Sequence, residues 1–238
     1  MKISRLWFMV HGFCLLVAAL AVARPAQAEG LYAFDGAGWM VRLRGIGVLP
    51  EEGSSGWVLD GARVTGADVE ISNTVVPELD ITYFFNKNLA VELILAVTPH
   101  DVEGTGPLIQ GYGKIGDVWL LPPTLTLQYH FDEIGGFKPY VGAGLNYTVF
   151  FNEDAGSNYS NLKLDNSFGF ALQAGVDVRL QGNWYFNVDV KKLWLDTEAS
   201  VRLDPVTPGR VKADVDIDPW IVGVGFGYRF GGVSAPLK

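Results

Sequence analysis

The chain almost lacks cysteine. A single thiol, Cys14, occurs in 238 residues. With nothing to pair with, it excludes a disulfide framework. Lipidation would need a cysteine at the end of the apolar stretch, behind a small residue; Phe13 precedes Cys14 and apolar residues follow it. Positive charge is also scarce, with 18 Lys and Arg against 26 Asp and Glu and a net charge of −8. No basic run exists, which excludes nucleic acid as a partner. Histidine occurs three times. Beyond the N-terminal segment no run approaches 18 uncharged apolar residues, so no transmembrane helix is expected.

The first 28 residues have the layout of a secretory signal peptide. Lys2 and Arg5 open it, Leu6 to Val22 is mainly apolar, and Ala26-Gln27-Ala28 places small residues for cleavage near Ala28. The alternative, an uncleaved anchor, has against it a short stretch broken by His11 and Gly12. Cleavage removes three of the 18 basic residues and none of the 26 acidic ones, leaving −11 and no cysteine.

What the rest has is alternation. In Leu89 to Val97 the odd positions are large and apolar, while the even ones are Ala90, Glu92, Ile94 and Ala96. A period of two marks a strand with two unlike faces. Phe168, Phe170, Leu172, Ala174, Val176 and Val178 likewise oppose Gly169, Ala171, Gln173, Gly175, Asp177 and Arg179. Trp220, Val222, Val224, Phe226, Tyr228 and Phe230 oppose Ile221, Gly223, Gly225, Gly227 and Arg229. Eight strands are expected, near 39–49, 75–85, 89–98, 123–131, 138–150, 167–180, 184–197 and 214–230, with a bulge where the pattern slips at Lys191-Lys192-Leu193. Short connections alternate with long ones near 50–74, 99–122, 151–166 and 198–213, read as loops. Outer-membrane barrels have short periplasmic turns and longer outer loops.

Alternation alone does not say which face meets lipid, because a soluble eight-stranded barrel is also two-faced. Three features place the apolar face outside. Glycines lie on the polar face, where a narrow interior needs small residues. Aromatics gather at strand ends in two bands: Tyr83, Phe85, Tyr129, Phe131, Trp184, Phe186, Tyr228 and Phe230 beside the short turns, and Trp194, Trp220, Tyr147 and Phe168 toward the long loops. The chain also carries a secretion signal. The expected fold is therefore all-β: an eight-stranded antiparallel transmembrane β-barrel over residues 29–230, followed by an extension, 231–238. Closure is required, because an unpaired backbone group in hydrocarbon costs several kcal/mol.

Several stretches resemble the OmpW family of outer-membrane proteins: Asn88 to Leu93 with Ala96-Val97-Thr98-Pro99, Leu121-Pro122-Pro123-Thr124-Leu125, Lys138 to Thr148, and Asp218-Pro219-Trp220 to Gly227-Tyr228-Arg229-Phe230. The resemblance spans roughly 36–230. It implies an eight-stranded barrel with a narrow, largely hydrophobic lumen in the outer membrane of a Gram-negative bacterium, and passive uptake of small hydrophobic molecules that leave sideways through the wall; the many charges of inward parity here depart from a wholly apolar channel. It also implies outer-membrane lipid, periplasmic chaperones and the barrel-assembly machinery as partners. Members usually end on the closing aromatic; here Gly231 to Lys238 follow Phe230.

Inward parity falls on Arg42, Arg44, Glu78, Asp80, Glu92, Asp177, Arg179, Asp189 and Arg229. In a narrow lumen these charges must pair. They read either as a plug against flow to the periplasm or as ordinary interior filling. Pro122 and Pro123 in strand four and Pro77 in strand two remove ladder donors, and so mark either a lateral gap or simply loop ends. Met40, Ile46, Val48, Phe84, Ile94 and Ile221, with Trp119, Leu120 and Leu121 at the mouth, are candidates to line an apolar pocket. No catalytic constellation, cofactor or metal site is expected. His130 has no serine at its height, His100 reads as a surface-loop histidine, and the loop acids lack EF-hand spacing. Two functions remain: a transporter of small apolar solutes, or a structural or adhesive barrel acting through its outer loops.

Overall fold

The computed structural model describes residues 36–107, 109–203 and 209–230. The signal segment with its cleavage site, and the extension 231–238, lie outside the described residues. Within them are sixteen strands: β1 (Gly38–Leu49), β2 (Gly53–Leu59), β3 (Ala62–Arg63), β4 (Asp68–Ile71), β5 (Thr74–Phe84), β6 (Leu89–Ala96), β7 (Thr98–Thr105), β8 (Lys114–Leu121), β9 (Thr124–His130), β10 (Phe137–Ala155), β11 (Tyr159–Leu164), β12 (Ser167–Arg179), β13 (Trp184–Trp194), β14 (Asp196–Leu203), β15 (Gly209–Asp216) and β16 (Trp220–Phe230). No described helix is long and apolar enough to cross a membrane, which says nothing of strands.

Eight of these strands close a ring in the order β1-β5-β6-β9-β10-β12-β13-β16, and β16 pairs back to β1. Every pairing is antiparallel, from Trp39↔Phe230 at the seam to Tyr147↔Phe168 between β10 and β12. Local chemistry sets the short turns. The Asn86 side chain accepts from the backbone N–H groups of Asn88 (2.8 Å) and Leu89 (2.9 Å), and Gly135, Gly136 and Gly182 take positive φ. No bulge occurs at Lys191-Lys192-Leu193: β13 holds one register against β12 and β16 through this stretch. Lys191 and Leu193 both point inward, into a lumen that turns from ionic to apolar at this height, so composition changes while alternation persists.

The two faces separate as the alternation requires. Leu43 (62% exposed), Val75 (82%) and Phe168 (78%) stand on the outer face, whereas Arg42, Arg44, Asp80 and Glu92 are buried inside. Rings cluster near the short turns, with Trp39–Tyr83 centroids 4.8 Å apart, Tyr129–Phe131 5.2 Å and Trp184–Tyr228 5.1 Å. Toward the other rim Tyr147 and Phe168 lie 4.5 Å apart.

The long connections are not loops. They rise as a second β-storey, in which β10 continues upward against β8, β8 pairs with β7, and β7 with β4. On the other side β11, β14, β15, β2 and β3 form a five-stranded sheet. The polarity of the faces inverts between storeys. In β15 Val211, Ala213 and Val215 are buried and Arg210, Lys212, Asp214 and Asp216 are exposed. In β16 the same odd parity points inward but carries glycine and Arg229, and the outer positions are aromatic or aliphatic. One strand path thus passes from water to hydrocarbon between Asp216 and Trp220, keeping its parity and changing its composition.

Candidate functional site

The lumen is sealed at mid-barrel by an ionic floor. Arg42 clasps Asp177 through Nε (3.1 Å) and Nη2 (2.7 Å) and reaches Glu92 through Nη1 (2.6 Å). Arg44 reaches Glu78 (2.9 Å), Asp80 (2.6 Å), Asp189 (3.4 Å) and Glu92 (3.6 Å). Lys191 bridges Glu78 (2.8 Å) and Asp189 (3.0 Å). Three cations thus meet five carboxylates, and neutral donors supply the remaining bonds. Gln128 donates to Glu92 (2.8 Å), Gln173 to Glu92 and Asp189 (both 2.9 Å), Tyr140 to Asp189 (2.7 Å) and Asn187 to Asp177 (2.9 Å). Such pairing is what allows charge to be buried at all. Two glycines make room: a Cβ on Gly225 would collide with the Leu43 carbonyl and the Arg44 backbone, and one on Gly175 with the Tyr140 hydroxyl.

Below the floor the periplasmic-side lumen is filled by a stack. Arg229 lies 3.8 Å over the Phe84 ring, Phe84 packs on His130 (4.7 Å), and His130 stacks on Tyr140 (4.8 Å). Met40, Phe84, Ala90 and Tyr185 complete this small apolar layer.

Above the floor the lumen is apolar. A neck of about 560 Å³, its open ends included, is lined by Ile46, Val48, Ile94, Leu193 and Ile221, with Glu78 and Lys191 also among its walls. It meets a chamber of about 800 Å³, open mouth included, inside the upper storey; His100, Leu120 and Ile217 border both spaces. Trp57, Ile115, Val118, Phe150, Tyr159, Val201 and Val211 are among the chamber walls.

Beside the neck two backbone ladders are interrupted. The β6–β9 ladder ends at Ile94↔Thr124, and the β7–β8 ladder resumes in the same register at Thr98↔Leu120. On the other flank β5–β6 ends at Glu78↔Ala96. Ladder direction explains both ends. His130 N–H donates to the Asn88 carbonyl (2.6 Å), so every second residue of β9 faces β6, and Pro122 falls on that side opposite Ala96 with no hydrogen to give. Phe85 N–H donates to Leu89 (2.8 Å), which puts the Pro77 nitrogen toward Val97, again without a hydrogen. Pro123 faces β10 instead, where its carbonyl accepts from Tyr147 N–H (3.0 Å).

A family model described as the OmpW family matches residues 36–230. The chain belongs to the OmpW family. An uncharacterised outer-membrane protein of Sinorhizobium fredii, y4mB, is 46% identical over 192 residues, 81% of this chain and 80% of that protein. The crystal structure of the outer-membrane protein OprG from Pseudomonas aeruginosa superimposes with a TM-score of 0.76 at 35% identity, covering 87% of this chain and all of that one. The dibenzothiophene metabolism operon protein PahQ of Pseudomonas aeruginosa is 30% identical over 218 residues, 91% of this chain and 97% of that protein. This OmpW-family chain is an outer-membrane protein; outer-membrane barrels keep their short turns in the periplasm, which puts the upper storey outside.

Several residues singled out in the sequence lie elsewhere in this OmpW-family barrel than expected. Ile46, Val48, Ile94 and Ile221 line the neck and Leu120 its junction with the chamber, but Met40 and Phe84 lie below the floor and line no inlet. Trp119 is 41% exposed on the outer face, its ring 6.3 Å from Phe151, and Leu121 shares its parity. The segment is a strand rather than a loop, so only every second residue turns inward. Arg179 leaves the floor and pairs with Glu133 (2.9 Å) at the periplasmic rim, and Arg229 belongs to the stack. His100 is no surface histidine: it is 5% exposed, and its Nδ1 lies 2.7 Å from the Ser72 carbonyl. Sequence reasoning missed Lys191, Gln128, Gln173 and Asn187, which the inward parity of β9, β12 and β13 marks once the strands are set. It also missed the whole chamber, whose signal was the Val211-Ala213-Val215-Ile217 alternation.

Proposed function

We propose that the protein admits small hydrophobic molecules from outside and releases them sideways into the membrane. The observation that carries this reading is the sequence of spaces: an apolar chamber and neck stand on a buried ionic floor, and the backbone ladders are interrupted beside the neck at Ala96–Thr98. A solute that enters the chamber meets a floor it cannot wet, so transfer through the break into hydrocarbon is the downhill direction. Pro77 and Pro122 are the residues that keep the break open. The likeness to PahQ, whose name ties it to dibenzothiophene metabolism, supports an aromatic or otherwise apolar cargo. Uptake of a hydrophobic fluorescent probe should be several-fold faster in cells carrying the protein than in cells lacking it. Equal rates would leave a structural or adhesive barrel instead.

A further inference from the structure

The chamber lining is mainly apolar, and two of its polar side chains, Tyr159 and His100, bear on its cargo. Tyr159 is 7% exposed and borders the chamber, and its hydroxyl is buried with no hydrogen-bond partner among the described residues. An unmade buried hydrogen bond is costly, and a phenylalanine would pack the same space without that cost. Ser200, also in the lining, shows the contrast, since its hydroxyl accepts from Arg210 (3.3 Å).

His100 is the second of them, at the threshold between chamber and neck. Its Nδ1 lies 2.7 Å from the Ser72 carbonyl, which can only accept. The proton therefore sits on Nδ1, which leaves Nε2 as the acceptor of the ring. Burial holds the imidazole below the usual histidine range, so the ring is neutral. The two stations stand at opposite ends of the chamber: Tyr159 pairs with Leu203 at the outer end of β14, and His100 is the third residue of β7, just above the barrel. One offers a donor, the other an acceptor. A hydroxyl group is the simplest cargo function that satisfies both in turn, accepting from Tyr159 and then donating to His100. A carboxylate fits neither the uncharged lining nor the acceptor at His100. The neck's one lysine, Lys191, is already held by Glu78 and Asp189.

Resting on the uptake reading above, we propose that the chamber selects neutral hydrophobic molecules bearing a hydroxyl group, with Tyr159 as the outer and His100 as the inner polar station. Equilibrium dialysis of 1-naphthol, naphthalene and 1-naphthoate against the mature chain in lipid nanodiscs, corrected for empty nanodiscs, tests it. Naphthol should bind at least about fivefold more tightly than naphthalene, and naphthoate more weakly than either. Tyr159→Phe and His100→Leu should each weaken naphthol about three- to tenfold while leaving naphthalene unchanged. Naphthalene is thus the internal check that each variant keeps its chamber. Equal binding of naphthol and naphthalene, or equal loss of both in Tyr159→Phe, overturns the selectivity and leaves uptake standing. No binding of any of the three above empty nanodiscs overturns both.

Discussion

Arg44 reaches four carboxylates within the barrel, and no solvent can replace it there. Removing one partner of a buried ion pair strands the other charge and costs about 3–5 kcal/mol. Arg44→Met should therefore lower the unfolding free energy of the barrel, read from urea titration in lipid vesicles, by that order, with a lower midpoint. The exposed Lys114, which pairs with Asp101 and Asp117 on the outer storey, gives the contrast. Lys114→Ala should leave the midpoint where it is, because such pairs are screened by water. A large shift for Lys114 and none for Arg44 would contradict the burial of the floor. Most of the floor was legible in the sequence, since charge on the glycine-bearing face has only the lumen to occupy. Lys191 escaped because Leu193, on the same face, looked like an error of phase; in the structure both point inward, one into the floor and one into the neck.

Strands set which side chains meet lipid, and β6 tests this with adjacent residues. Leu93 faces out and Ile94 faces the neck. Leu93→Arg should cost about 2–4 kcal/mol if it lies near the bilayer midplane, whereas Ile94→Arg, above the carboxylates of the floor, should disturb folding less. Reversed costs, read from unfolding in vesicles, would mean that inside and outside are exchanged. The prolines make a second pair. Pro122→Ala restores an N–H aimed at β6 and should slow probe uptake; Pro123→Ala restores one aimed at β10 and should not. The eight barrel strands were legible because lipid on one side and a narrow lumen on the other impose a strict period of two. The upper strands were hidden by the Gly, Pro, Ser and Asp content of stretches such as 50–74, which has the composition of loops. Their alternation is there, with charge outside and aliphatics inside, the reverse of the barrel, because water surrounds them.

At the scale of the whole molecule, two β-storeys of opposite polarity share one axis. The lower has its apolar face outside and an ionic floor across its lumen; the upper has a charged exterior and an apolar interior. The uptake reading requires apolar surface to run from the chamber through the neck to the lipid-facing wall at the ladder gap between Pro77, Ala96–Thr98 and Pro122. That continuity is the central claim, and a reversible staple tests it most directly. Ala96 and Pro122 occupy facing positions in a register shared by the ladders above and below the break. Residues 29–238 contain no cysteine, so in that span the double variant Ala96→Cys, Pro122→Cys forms a single disulfide across the ladder gap. Uptake of the hydrophobic probe should fall to the protein-free rate on oxidation and recover on reduction. Unchanged uptake in the fully oxidised variant would contradict the sideways route.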